Sequence, residues 1–116
     1  MAGELSRRVV TQKDGHPVAE TTLRRDARAG QQYWMHAACI SATSGKTLSV
    51  GVRSGRSGAS DEAHVTAEIP CDGIVTVNDL GTLPAEQSVV FMEGDQSDVP
   101  WGYAIIAPTS SLPVGK

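Results

Sequence analysis

The stretch Cys39–Val52, "CISATSGKTLSVGV", admits two incompatible readings, and the choice between them decides the fold. Its centre, Ser44-Gly45-Lys46-Thr47, matches the end of a nucleotide-binding loop. That loop needs a glycine, four intervening residues and then the Gly-Lys pair, so that backbone can wrap phosphate, and a helix that starts at the lysine. Ile40 stands where the glycine should be. After Thr47 the chain runs Leu48, Val50, Val52 on alternate positions, which is the period of a strand and not of a helix. The stretch is therefore read as a hairpin: one strand ending near Cys39, a turn at "TSGK", and an amphipathic strand "TLSVGVRS".

The same period recurs outward in both directions. Upstream, "SRRVVTQK" and "HPVAETTL" flank Asp14-Gly15, a dipeptide suited to a two-residue hairpin turn. Pro17 cannot donate to a ladder on one side, which places that hairpin at a sheet edge. A strand from Gln32 to Ser41 puts Tyr33, Met35, Ala37 and Cys39 on one face and Trp34, His36 and Ala38 on the other. Downstream, "GRSGASDE" reads as a polar loop, and "AHVTAEIPC" sets Val65, Ala67 and Ile69 against His64, Thr66 and Glu68. Asp72-Gly73 turns the chain into "IVTVNDL", and "SVVFMEG" and "WGYAIIAP" complete the series. Only Leu83–Gln87 has room for a helical turn.

About eight short strands with turn signals between them predict an all-β chain, an antiparallel β-sandwich of jelly-roll-like type with little or no helix. A chain of 116 residues, 40% hydrophobic and 20% charged, holds one core and one domain. That domain is expected over 1–108, with 109–116 a partly ordered tail. Five aromatic residues leave the core to Val, Ile, Leu and Ala.

Net charge is -3, and the arginines come in small groups, Arg7-Arg8, Arg24-Arg25-Arg28 and Arg53-Arg56, with no long basic run. Nucleic acid is therefore a disfavoured partner. No apolar run is long enough for a transmembrane helix. "MAGELSRR" carries no export signal, so a secreted protein would have had its signal removed, whereas a native Met1 would imply a cytoplasmic one.

Cys39 and Cys71 each close an apolar run, 32 positions apart, outside any C-x-x-C pattern. The placement suits a disulfide between strand ends, with two buried thiols as the alternative, and it does not suit zinc. The glycines Gly51, Gly55 and Gly58 lack the spacing of a dinucleotide fingerprint. Ser, His and Asp are all present, but no G-x-S-x-G elbow accompanies them, so no catalytic residue is assigned. Trp34, His36, His64, Trp101 and Tyr103 are the candidate ligand-binding residues. His36 and His64 would join Trp34 in one patch if their strands are neighbours, and Trp101, after Pro100, could cap one end of the sandwich. Aromatic faces of this kind stack on sugars, although the core claims most aromatic side chains. Glu93, Asp95 and Asp98 are the candidate metal ligands, calcium being the ion such an oxygen-rich loop takes. No other cofactor is expected.

Ala29, Gly30, Tyr33, Cys39, Cys71, Asp72, Gly73, Gly102, Tyr103 and Ala104 follow one another in an order that resembles the small β-sandwich domains of actinobacterial secreted lipoproteins and related exported proteins. The frame is also similar to jelly-roll domains appended to secreted enzymes, which bind sugars or act as spacers. Strand count, the placement of the cysteines and the lack of a convincing catalytic set lead to the expectation of an extracytoplasmic, non-catalytic β-sandwich with a protein or carbohydrate ligand. Assembly through sheet edges, as in a phage or particle component, is a further expectation.

Overall fold

The computed structural model describes residues 3–55 and 63–109, with the backbone alone for residues 63 and 64. The expected long loop over 55–62, except for Gly55, and the expected tail, except for Thr109, lie outside the described residues. Eight strands form in chain order: β1 (Ser6–Lys13), β2 (His16–Leu23), β3 (Gln32–Ile40), β4 (Thr47–Ser54), β5 (Ala63–Pro70), β6 (Thr76–Thr82), β7 (Ser88–Glu93) and β8 (Trp101–Pro108). They make a five-stranded sheet, ordered β2-β1-β8-β3-β6, and a three-stranded sheet, ordered β5-β4-β7, with every pairing antiparallel. No helix occurs among the described residues. Leu83–Gln87 bends without coiling, because Leu83 turns its side chain into the core.

Pairings β1–β8, β3–β6 and β4–β5 nest inside one another, as when a long hairpin is rolled up into two sheets. That is jelly-roll connectivity. The nesting would also pair β2 with β7, but β2 instead stays on β1 as a two-residue hairpin, with Lys13 opposite His16. Asp14 and Gly15 both take positive φ, the conformation this tight turn requires. Pro17 accordingly lies on an edge strand.

With β2 turned away, the free edge of β7 closes against β1. Ser6, fully buried, accepts a hydrogen bond through its hydroxyl from the Val90 backbone N–H at 3.2 Å. The opposite side of the sandwich is closed covalently. Cys39 at the end of β3 and Cys71 just after β5 form a disulfide with a Cα separation of 4.4 Å, joining the two sheets. Around it, the Cys71 N–H donates to the Lys46 carbonyl and the Gly73 N–H to the Cys39 carbonyl.

Period-two alternation fills the space between the sheets. Val10, Tyr33, Met35, Ala37, Leu48, Val50, Val52, Ile69, Val90, Met92, Ala104 and Ile106 all point inward. Each belongs to the apolar half of an alternating strand, so the hydrophobic effect sets the facing of every strand at once.

Candidate functional site

Since Ala104 and Ile106 point into the core, Trp101, Tyr103, Ile105 and Ala107 of β8 lie on the outer face of the five-stranded sheet. β8 is the middle strand of that sheet, and its register brings two further rows beside it. On β3, Ile40, Ala38, His36 and Trp34 stand opposite Trp101, Tyr103, Ile105 and Ala107 in turn. On β1, Thr11, Val9 and Arg7 stand opposite Trp101, Tyr103 and Ile105. Beyond β3, Val77 and Asp79 of β6 continue the same face next to His36 and Trp34. Val18 of β2, opposite Thr11, continues it on the other side.

Four of the five candidate ligand-binding residues, Trp34, His36, Trp101 and Tyr103, thus share one surface. Trp101 is the first residue of β8, opposite the last residue of β3, and its side chain stands on the outer face of the sheet and not over the space between the sheets. Its ring stacks on Tyr103 with centroids 6.0 Å apart and planes 9° from parallel. The surroundings are aliphatic and open to solvent: Trp101 and Ile40 are each 36% exposed, and Val77 is 45% exposed. Ile74 and Val75, which lead into β6, are exposed as well.

His36 is the polar group within this face. Its Nε2 is buried without a hydrogen-bond partner among the described residues, and burial pushes the imidazole below its ordinary value. The ring is therefore neutral at pH 7, which suits an apolar contact surface.

The condition for a patch of His36 with His64, that their strands be neighbours in one sheet, is not met. β3 belongs to the five-stranded sheet and β5 to the three-stranded one, so the two strands are not neighbours. The His64 side chain lies outside the described residues. The assignment failed because both strands show the same alternation, and alternation says nothing about which sheet a strand joins.

The three candidate metal ligands follow β7 or end it, and two of them already have protein partners. Asp98 accepts from the Thr43 hydroxyl and is ion-paired with Lys46 at 3.2 Å, which together lower its pKa. Asp95 caps its own turn by accepting from the Ser97 backbone N–H and hydroxyl, which lowers its pKa too. No group of three metal-ligating side chains comes together among the described residues.

Sequence reasoning also passed over a buried acid. Glu4 is 1% exposed and holds two arginines at once: Arg7 donates to both carboxylate oxygens and Arg24 donates to Oε2, each at 2.7 Å. The Arg7 hydrogen bond, against the opposing effect of burial and with help from Arg24, brings the Glu4 pKa down to about 2. The Glu4–Arg7 spacing was visible in the sequence; the Arg24 contact depends on the β1–β2 register.

Comparison of the chain with models of protein families, with curated proteins and with solved structures finds no match.

Proposed function

We propose that the protein is a non-catalytic, extracytoplasmic binding module that recognises a partner protein through the outer face of its five-stranded sheet. One observation carries the reading: Trp34, His36, Trp101 and Tyr103 stand on a single face continuous with exposed Ile40, Val77 and Val18. An open apolar patch that includes aromatic side chains is the signature of a contact surface, because water is readily displaced from it. The disulfide is compatible with an oxidising compartment, and the resemblance to secreted lipoprotein sandwiches points the same way.

A protein partner fits this face better than a sugar. Sugar recognition needs an aromatic ring face bordered by hydrogen-bonding groups. Here Trp101 and Tyr103 turn one face each toward the other, and of their four register neighbours Ile40, Ala38 and Val9 are aliphatic and only Thr11 carries a hydroxyl. An apolar protein surface matches that composition.

The test replaces exposed side chains whose loss the fold tolerates. Ile40→Lys with Val77→Lys places two charges on the proposed face, and Thr66→Lys places one on the outer face of the other sheet as a control. Proteins retained by each variant from an extract of the source cells are quantified by mass spectrometry. A partner held by the wild type and by the control, and lost at least about tenfold by the double variant, supports the reading. Equal retention by all three overturns it, and a response to glycans alone replaces the protein partner with a sugar.

A further inference from the structure

A second site lies at the end of the sandwich where β3 begins and β8 finishes. Gly3, Arg25, Asp26, Arg28, Gln31, Tyr33 and Pro108 line a cleft of about 170 Å³ there. Three features give it a single chemical character. First, the cations are divided into two sets. Arg7 and Arg24 are held by Glu4, whereas neither Arg25 nor Arg28 has a carboxylate partner among the described residues. Secondly, Tyr33 is 1% exposed, and its hydroxyl accepts the Arg28 backbone N–H at 2.9 Å. No acceptor for the hydroxyl hydrogen is found among the described residues, and Tyr33 is one of the residues that line the cleft. A buried polar hydrogen left in that state is costly unless water or a ligand takes it. Thirdly, Gly3 sits at positive φ against Pro108, and a Cβ at Gly3 would come within 2.9 Å of the proline ring. Glycine at this position lets the two segments meet, which shapes that wall of the cleft.

Two arginines and a tyrosine line the cleft; their side-chain polar groups are hydrogen-bond donors, and a cavity lined by such donors selects an oxyanion. The lining also includes Asp26, so two positive charges against one negative leave it singly positive. A second negative charge on the ligand would have no arginine left to balance it, because Asp26 offsets one of the two. We propose that this cleft binds the carboxylate group of a small organic monoanion, with Arg25 and Arg28 forming the charged contacts and the Tyr33 hydroxyl donating to one oxygen. The site is separate from the apolar sheet face, since Tyr33 points into the sandwich while its neighbour Trp34 lies on the outer surface.

The probe is propionate, titrated into the ¹⁵N-labelled protein against sodium chloride at matched ionic strength, with inorganic phosphate as a second titrant. Expected are saturable shifts of the amides around Arg25, Arg28 and Tyr33, with a dissociation constant in the millimolar range. Arg25→Gln with Arg28→Gln, both on exposed side chains, should weaken propionate at least about tenfold while leaving amide shifts elsewhere in place. Tyr33→Phe should weaken it about fivefold. Shifts that stay linear in propionate, or that survive the double substitution, overturn the site. Phosphate saturating more tightly than propionate overturns the assignment to a monoanionic carboxylate.

Discussion

The two outer faces of the sandwich treat their aromatic side chains in opposite ways. On the three-stranded sheet, Phe91 is only 9% exposed although it points away from the core. Its register partner is Gly51, where a Cβ would stand 2.5 Å from the ring, so glycine allows the ring to lie down across the strand. Arg53 then covers it, with the guanidinium carbon 5.6 Å from the ring centroid. Beside it, Ser49, Thr66 and Glu68 make an ordinary wetted surface. On the five-stranded sheet no glycine lies opposite Trp101, and among the described residues no cation covers it. Its register neighbours are Thr11 and Ile40, and its ring stands against Tyr103. A lone aromatic residue on a sheet surface can thus be folded down and capped; the larger sheet leaves its aromatic row open, which is why the proposed contact surface is placed on that face.

That contrast can be broken in several places, and the largest effect concerns both faces together. Replacing Cys39 and Cys71 with alanine removes a link across a 32-residue separation and should cost about 3 to 4 kcal/mol in the chain-entropy description. Denaturant unfolding measures it, and both faces should be lost in one transition, since the bond joins the sheets and not the residues of one face.

Next is Phe91→Ala, expected to cost about 2 to 3 kcal/mol because a largely buried ring leaves both Gly51 and Arg53 without a neighbour. Trp101→Ala, on the open face, should cost only about 1 kcal/mol. If the two losses were equal in the same unfolding assay, the distinction between a capped and an open aromatic residue would disappear.

Between these two lies Glu4. Its carboxyl binds a proton at about 2 in the folded chain against 4.5 for the unperturbed group. The unfolded chain therefore takes up protons first, so Glu4 contributes stability above pH 4.5 that drains away as pH falls toward 2. Because Arg7 and Arg24 are partly exposed and screened, the contribution is about 2 kcal/mol and not the full shift. Glu4→Gln should remove this share of the acid dependence and leave that of Asp95 and Asp98, as read from urea midpoints at a series of pH values.

The smallest effect is expected at His36. Burial disfavours the charged ring, so the folded chain holds this proton less tightly than the unfolded chain, whose reference value is 6.5. Stability is complete above that value and declines as pH falls below it. His36→Gln should flatten this decline in the same series.

Much of the architecture was legible in the sequence because short-range rules carry it. Leu48, Val50 and Val52 alternate as a half-buried strand must, Asp14-Gly15 specifies a tight hairpin, and Pro17 marks an edge. The cysteines, at the ends of apolar runs, met as expected. Less legible was anything that depends on which strands become neighbours. Strand β6 was expected to start at Ile74, but Ile74 and Val75 remain outside it, and β2 left the place that rolled pairing would give it. The aromatic face shows both sides of this. Trp34 and His36 could be placed on a common face from β3 alone, and Trp101 and Tyr103 from β8 alone; only the β3–β8 register puts the four together, and the same topology separates His36 from His64. Tyr33, Arg25 and Arg28 gave no signal, since a cleft between a loop and two strand ends has no sequence period.

The openness of the aromatic row is most directly measured by tryptophan emission. Both tryptophans lie on the five-stranded sheet, and Trp34→Phe leaves Trp101 as the sole emitter. The account predicts red-shifted emission that acrylamide quenches readily in the free protein, moving to the blue and becoming shielded when a captured partner is bound. Blue-shifted, shielded emission from the free, monomeric protein would contradict it.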